Sequence, residues 1–406
     1  MSLSENARQP GRSAPQPASP NSGDSTARLS RDGGDFEDDL SFDAETQRIA
    51  TASQAQLIWW RFRKNKLAVF CTFVVACYYL TAIFADFIAP YDPATNRAAL
   101  TFAPPQSIRF FDEDGGLTWP YVYGYKMQLN EETYRRDFTD DTTQRYELGF
   151  FVRGEPYELW GLIETDRRFF GASDPEGTAY LLGGDRLGRD LFSRLIHGTR
   201  ISMSISLIGI VLSLLIGVTL GGISGYYSGG VDMVVQRFME FIDSIPKTPI
   251  LMGLSAAIPL TWSPLAVFFG VTVILSLVGW IGMARVVRGR FLALREEDFV
   301  MAARVSGVKE RRIIFRHMLP SFYSHIIASL TLSIPGAILA ETSLSFLGLG
   351  LKPPLNSFGI LLQEAQNIHT VALAPWLIYP AGALIILVLA FNYLGDGLRD
   401  AADPYA

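Results

Sequence analysis

Long stretches of this chain contain no Asp, Glu, Lys or Arg, among them Leu67 to Ala85, Ile201 to Val231, Thr248 to Ala284 and Val371 to Gly395. A helix rising 1.5 Å per residue needs about 20 apolar residues to cross roughly 30 Å of hydrocarbon. Backbone polar groups inside a bilayer must be satisfied within the segment, so runs of this kind fold as helices. The composition agrees. Of 406 residues only 18% are charged, against about 25% in soluble domains. The mean hydropathy is +0.20. An ordinary soluble enzyme is excluded, and a formal net charge of -5 excludes the basic footprint of a nucleic-acid binder. Cys71 and Cys77 both lie in the first apolar run and form no disulfide framework.

Thr248 to Ala284 overshoots one crossing and is interrupted by Pro259, Trp262 and Pro264. Two spans joined by a Pro-marked turn are expected there, the first of them short and starting near Ile245. Phe322 to Phe346 and Val371 to Gly395 supply the fifth and sixth spans. The expectation is an all-α polytopic membrane protein with six transmembrane helices.

Basic residues in short segments set the orientation. Arg61, Arg63, Lys64 and Lys66 precede the first span. Arg288, Arg290, Arg295, Arg304, Lys309, Arg311, Arg312 and Arg316 lie between the fourth and fifth. Four spans separate the two groups, so both are expected on the cytoplasmic side, with both termini. Residues 1–56, polar and rich in Pro, Ser and Gly, read as a disordered cytoplasmic tail. Residues 57–89 hold the basic collar and first span, and 90–182 an extracytoplasmic insert. Residues 183–406 hold spans two to six, with a cytoplasmic loop at 298–320.

The insert is acidic on balance, and Trp119, Tyr121, Tyr123 and Tyr125 alternate with period two. Tyr146 to Ile163 reads as a strand, a turn at Gly154-Glu155-Pro156, and a second strand. A small β-containing domain is expected, either a passive cap or a docking surface.

No GxxxxGK[ST] occurs, so no phosphate-binding loop can form. HExxH and GxSxG are also absent. Ion-coupled transporters place titratable groups at central depth. Here His325 and Glu341 lie near the ends of the fifth span, where structural roles are expected. A transporter without a coupling group or a nucleotide motif must draw its energy from another chain.

Two features point to a mechanism. Small residues recur every fourth position in the second span, at Gly209, Ser213, Gly217, Gly221, Gly225 and Gly229, a stripe that lets a neighbouring backbone approach closely. In the cytoplasmic loop, Ala302/Ser306 and Ala303/Gly307 give a short helix a bare face rimmed by Arg304 and Lys309. Gly307 suits its C-terminal end, and Pro320, after Leu319, can open the next helix. Such a helix fits a socket in a partner protein, or lies on anionic lipid.

The run Met301-Ala302-Ala303-Arg304, then Gly307, Lys309 and Leu319-Pro320, resembles the EAA loop of permease subunits in bacterial ABC importers. Met301 replaces the family Glu, and His317 replaces an Ile. Gly183-Gly184-Asp185-Arg186-Leu187-Gly188-Arg189-Asp190, Glu341 to Gly350 and Gly395 to Asp400 resemble the C-type permease of the dipeptide/oligopeptide/nickel branch, with Gly184 where Thr is usual. The likeness covers about 57–100 and 180–405. It implies a type I importer in which this chain pairs with a B-type permease, two ABC ATPases and an extracytoplasmic solute-binding protein. ATP and Mg would be bound by the ATPases, with no cofactor or metal in this chain. Its expected place is the bacterial inner membrane. A stand-alone secondary transporter or channel and a non-transporting scaffold are the alternatives. The solute (dipeptide, oligopeptide, nickel chelate or oligosaccharide) and the residues that bind it are not fixed by these motifs.

Overall fold

The basic collar ends at Asn65, whose side chain accepts from the Ala68 amide and caps the first apolar helix. The structure, a computed structural model, describes residues 51–402 apart from 113–114, 130, 132–135, 175–176 and 260. The disordered tail expected over 1–56 lies almost wholly outside these residues. Its last positions are helical, because α1 (Gln54–Lys64) already begins there. Helix α2 (Lys66–Ile83) follows Asn65, and a single turn, α3 (Ala85–Ile88), ends the segment.

The insert holds a four-stranded antiparallel meander, β1 (Arg109–Phe111), β2 (Leu117–Leu129), β3 (Arg136–Leu159) and β4 (Ile163–Ala172). The long β3 serves two partners. Its first half pairs with β2, from Leu129 opposite Arg136 to Tyr121 opposite Glu147. Its second half pairs with β4, from Leu148 opposite Ala172 to Leu159 opposite Ile163. The turn expected at Gly154-Glu155-Pro156 does not form. The strand continues through it with a register slip between Arg153 and Tyr157, which is how a sheet absorbs a Gly-Pro interruption. Arg168 holds the slip in place, its guanidinium donating to the Glu155 carbonyl at 3.2 Å. The reversal falls instead at Trp160 and Gly161, both with positive φ.

Helix α4 (Leu191–Tyr227) starts ten residues before the uncharged run, because Asp190 caps it by accepting from the Ser193 amide and hydroxyl. It is followed by α5 (Gly229–Asp243), α6 (Lys247–Ala256), α7 (Pro264–Leu294) and α8 (Asp298–Val305). A distorted helical stretch over Glu310–Phe322 then leads into α9 (Tyr323–Phe346). Last come α10 (Phe358–Glu364), α11 (Ile368–Leu373) and α12 (Tyr379–Ala402).

Among the described residues five helical segments are long and apolar enough to cross a membrane: Lys66–Ile83, Leu191–Tyr227, Pro264–Leu294, Glu310–Phe346 and Pro375–Ala402. The third expected span differs. Helix α6 has 10 residues, about 15 Å, half the hydrocarbon thickness. Only in series with α5 does the segment reach a crossing length. The two are separated at Ser244-Ile245-Pro246, where proline lacks a donor and pushes the preceding residue out of the helical region.

In lipid, apolar burial alone does little to join helices, so close packing must. Helices α2, α9 and α12 share a core of Val75, Ala82, Ile338, Leu384, Leu387 and Phe391, joined by Met203 of α4. Helices α4 and α7 form the other main pair.

Candidate functional site

The α4–α7 pairing rests on missing side chains. A Cβ on Gly217 would lie 2.8 Å from Met283 Cβ, and one on Gly225 would lie 2.6 Å from Phe291 Cβ. A Cβ on Gly221 would collide with the Ala284 carbonyl. Ser213 donates to the Ser276 carbonyl at 3.3 Å across the same seam. Gly229 is not part of it: it has φ +58, open space around it, and starts α5.

Where α7 ends, Glu297 leads into α8. Val300 is fully buried and shares a cluster with Tyr226, Val287, Phe291, Ile313, Met318 and Phe322. Those side chains come from α4, α7 and the stretch before α9, so α8 is seated on a rigid base. Its opposite side is open. Met301, Ala302, Arg304, Ser306, Gly307 and Lys309 are exposed, and Ala303 is half-buried. Gly307, at φ +71, donates to the Arg304 carbonyl while Val308 donates to that of Ala303, the pair of bonds that ends a helix with a left-handed residue. Leu319 is half-buried and Pro320 exposed at the start of the 3-10 turn into α9.

Sequence reasoning overlooked three residues here. Val305 is 87% exposed, an apolar side chain at the tip of α8. Tyr226 carries the Arg304 guanidinium over its ring, 5.0 Å from the centroid. Tyr227 donates to Glu310 at 2.8 Å. The exposed Val305 was visible in sequence as an apolar residue off the buried period of Val300. The tyrosines were hidden because they come from the far end of α4.

Two ion pairs brace the same end. Arg288 of α7 donates through Nε and Nη2 to both carboxylate oxygens of Asp232. Those bonds, aided by one from Ser224, hold the Asp232 pKa down to about 2, against opposing desolvation. Arg285 reaches Asp243 at 2.6 Å.

At the opposite end of α4 the glycine-rich motif is folded into a buried polar cluster. Arg194, fully buried, binds Asp185 and Glu364, and its Nε donates to Asn356 at 2.9 Å. Arg189 donates to Asp185 at 2.6 Å. Gly188, at φ +72, lies so close to the Arg97 carbonyl that no side chain fits. Asp190 is wholly buried, and desolvation raises its pKa to about 6 despite the bonds from Ser193. This cluster ties the insert, α4 and α10 together.

Glu341, which sequence reasoning put near the edge of its span, is fully buried, accepting from Ser202 and Ser345 at 2.8 Å each. The Ser202 hydroxyl also accepts from the Phe358 amide, so the carboxylate joins α4, α9 and α10. His325 meets Arg290 at 2.6 Å.

Between these two ends, α4, α6, α7 and α9 enclose a cavity of about 460 Å³. Small residues such as Gly209, Gly279, Gly282, Gly336, Ser206 and Ser333 share its wall with larger apolar ones such as Leu275 and Met283.

Residues 217–405 match the family described as binding-protein-dependent transport system inner membrane component. Residues 53–105 match the N-terminal TM domain of oligopeptide transport permease C. The chain is 32% identical over 367 residues to the dipeptide transport system permease protein DppC of Lactococcus lactis, covering 89% of this chain and 94% of that one. It is 37% identical to the oligopeptide permease OppC of Bacillus subtilis over 61% of this chain and 77% of that one. To the glutathione permease GsiD of Pectobacterium atrosepticum it is 38% identical, over 61% and 79%.

Proposed function

The chain belongs to the family of binding-protein-dependent transport system inner membrane components, and from that membership we propose its place in a larger assembly. It is a permease subunit of a binding-protein-dependent ABC importer, a multi-pass inner-membrane protein, and not itself a catalyst. In our reading it supplies half of a pathway for a peptide-like solute, the other half coming from a B-type permease. Relatives named for oligopeptide, dipeptide and glutathione transport support that solute class.

Two ABC ATPase subunits bind ATP and Mg and drive the cycle. ATP binding favours one state of the permease pair and hydrolysis releases it, so the work enters as differential affinity. The loop 298–320 receives that work on the cytoplasmic side, where the N- and C-termini also lie. The observation that carries this assignment is the exposed face of Ala302, Val305, Ser306 and Gly307, set on a base buried through Val300. A small-residue face offers a partner close approach, and the rigid base passes a push to α4, α7 and α9. Residues 100–180 are then a contact for the solute-binding protein or the second permease.

The test uses the complete assembly. Gly307→Trp fills the face and is expected to abolish both ATPase co-purification and uptake. Co-purification and uptake at unaltered levels would sink the docking assignment. Reconstitution of this chain alone in liposomes is expected to give no flux. Uptake there would favour a stand-alone transporter.

A further inference from the structure

We propose that Lys247 is a recognition point for the carboxylate of the transported solute, midway along the pathway. This rests on the chain being a permease subunit for peptide-like solutes.

Lys247 lines the cavity between α4, α6, α7 and α9, and among the described residues it is the one charged side chain on that wall. The cavity lies at central depth. It is bounded by Ile205 to Leu214 of α4 and Leu275 to Met283 of α7, both well inside helices that span from 191 to 227 and 264 to 294, and by Leu330 to Leu344 of α9, which runs from the middle of its helix to near its end at 346. The break at Pro246 puts the lysine there, since α6 needs only 10 residues to reach the turn before α7. Leu251, one turn further on, is buried among Val271, Leu275 and Val278, which fixes the level of the helix.

An ionised group at this depth is rare and faces either a partner or a watery path. Asp243, four residues earlier, is engaged by Arg285 at 2.6 Å, and among the described residues no acid forms an ion pair with Lys247. The hydroxyls of Ser206, Ser213 and Ser333 on the same wall each donate to a helix carbonyl and carry no charge to neutralise it. Lys247 is exposed, and its three donors point to an anion that comes and goes. Every linear peptide carries one such anion at its C-terminus.

The experiment is uptake by the complete importer, with its binding protein and ATPases, in proteoliposomes. Trialanine and trialanine amide serve as probes. Lys247→Gln is expected to lower trialanine uptake about tenfold, the scale of one lost hydrogen bond to a charged group. The low uptake of the amide should stay unchanged, and Lys247→Arg should restore most trialanine uptake. ATP hydrolysis stimulated by the binding protein should persist in all variants. Equal losses for both probes, or loss of the second permease on purification, would assign Lys247 to a subunit contact and overturn the proposal. Full trialanine uptake by Lys247→Gln overturns it as well. If the unaltered importer takes up neither probe, the peptide-solute reading fails, and the carboxylate assignment falls with it.

Discussion

Arg288 grips both oxygens of Asp232, with Nε and Nη2 each 2.6 Å from the carboxylate. One residue is in the first turn of α5 and the other near the end of α7, so the bond fixes the bent third segment to the helix that carries α8. Both side chains are less than a third exposed, so solvent screens the pair only in part. Asp232→Asn is expected to lower stability by about 1–3 kcal/mol. The carboxylate pKa is depressed to about 2 in the folded chain. Its contribution is therefore present above the unfolded value near 4 and is lost as pH falls toward 2. Thermal melts of the two proteins in detergent should differ at pH 7 and converge at about pH 2. A constant gap would rule this pair out as the cause.

Asp190 titrates in the opposite sense. Burial raises its pKa to about 6, so the folded state favours the proton. Its stabilising contribution is complete below about pH 4 and is lost as pH rises through 6. Asp190→Asn keeps a cap acceptor for Ser193 and removes the titration. Its melting temperature should rise relative to the unaltered chain between pH 5 and about 7, and identical pH profiles would contradict the assignment.

Gly221 tolerates no side chain, since a Cβ there would strike the Ala284 carbonyl. Gly221→Val should force α4 and α7 apart and cost about 1–3 kcal/mol. Gly289, on α7, is the control, because a Cβ added there would meet nothing within 4 Å. Gly289→Ala should be neutral or slightly stabilising through helix propensity, by at most about 1 kcal/mol. Melting of the purified variants separates the two.

Gly307 carries a backbone requirement besides its exposed position. At φ +71, Gly307→Ala is expected to cost about 1 kcal/mol and fray the end of α8, with modest loss of uptake. Gly307→Asn, which tolerates the left-handed region better, should retain more activity than alanine. The reverse order would mean that bulk, not conformation, governs this site.

The long spans were legible because charge exclusion is imposed by the bilayer and is written residue by residue. Their ends were less so. Helix α4 begins at Leu191 because Asp190 caps it, and that cap lies within a charged motif that hydropathy discards. The broken third segment left its signal in Pro246, but whether two short helices line up is a matter of packing. Gly154 and Pro156 read as a turn because both residues favour one. A slip in register satisfied the same backbone constraints once Arg168, from the neighbouring strand, lay across it. Lys247 escaped notice by one position: the uncharged run begins at Thr248, and only the fold shows that the residue before it faces the cavity. The bare face of α8 was legible in spacing, whereas its tyrosine neighbours required the return of α4.

The sheet is tied to the first membrane helix at one end. Trp160, at the reversal between β3 and β4, donates its indole proton to the carbonyl of Ile83, the last residue of α2. Arg168 donates to the carbonyls of Asp86 and Ala89 just beyond. From that anchorage β3 runs back 24 residues to Arg136, a path of about 80 Å if fully extended. That far end is held as well, because Arg136 donates to the carbonyl of Ala98, the neighbour of the Arg97 that packs on Gly188. The insert is strapped at both ends, so a tilt of α2 is handed across the sheet to the start of α4.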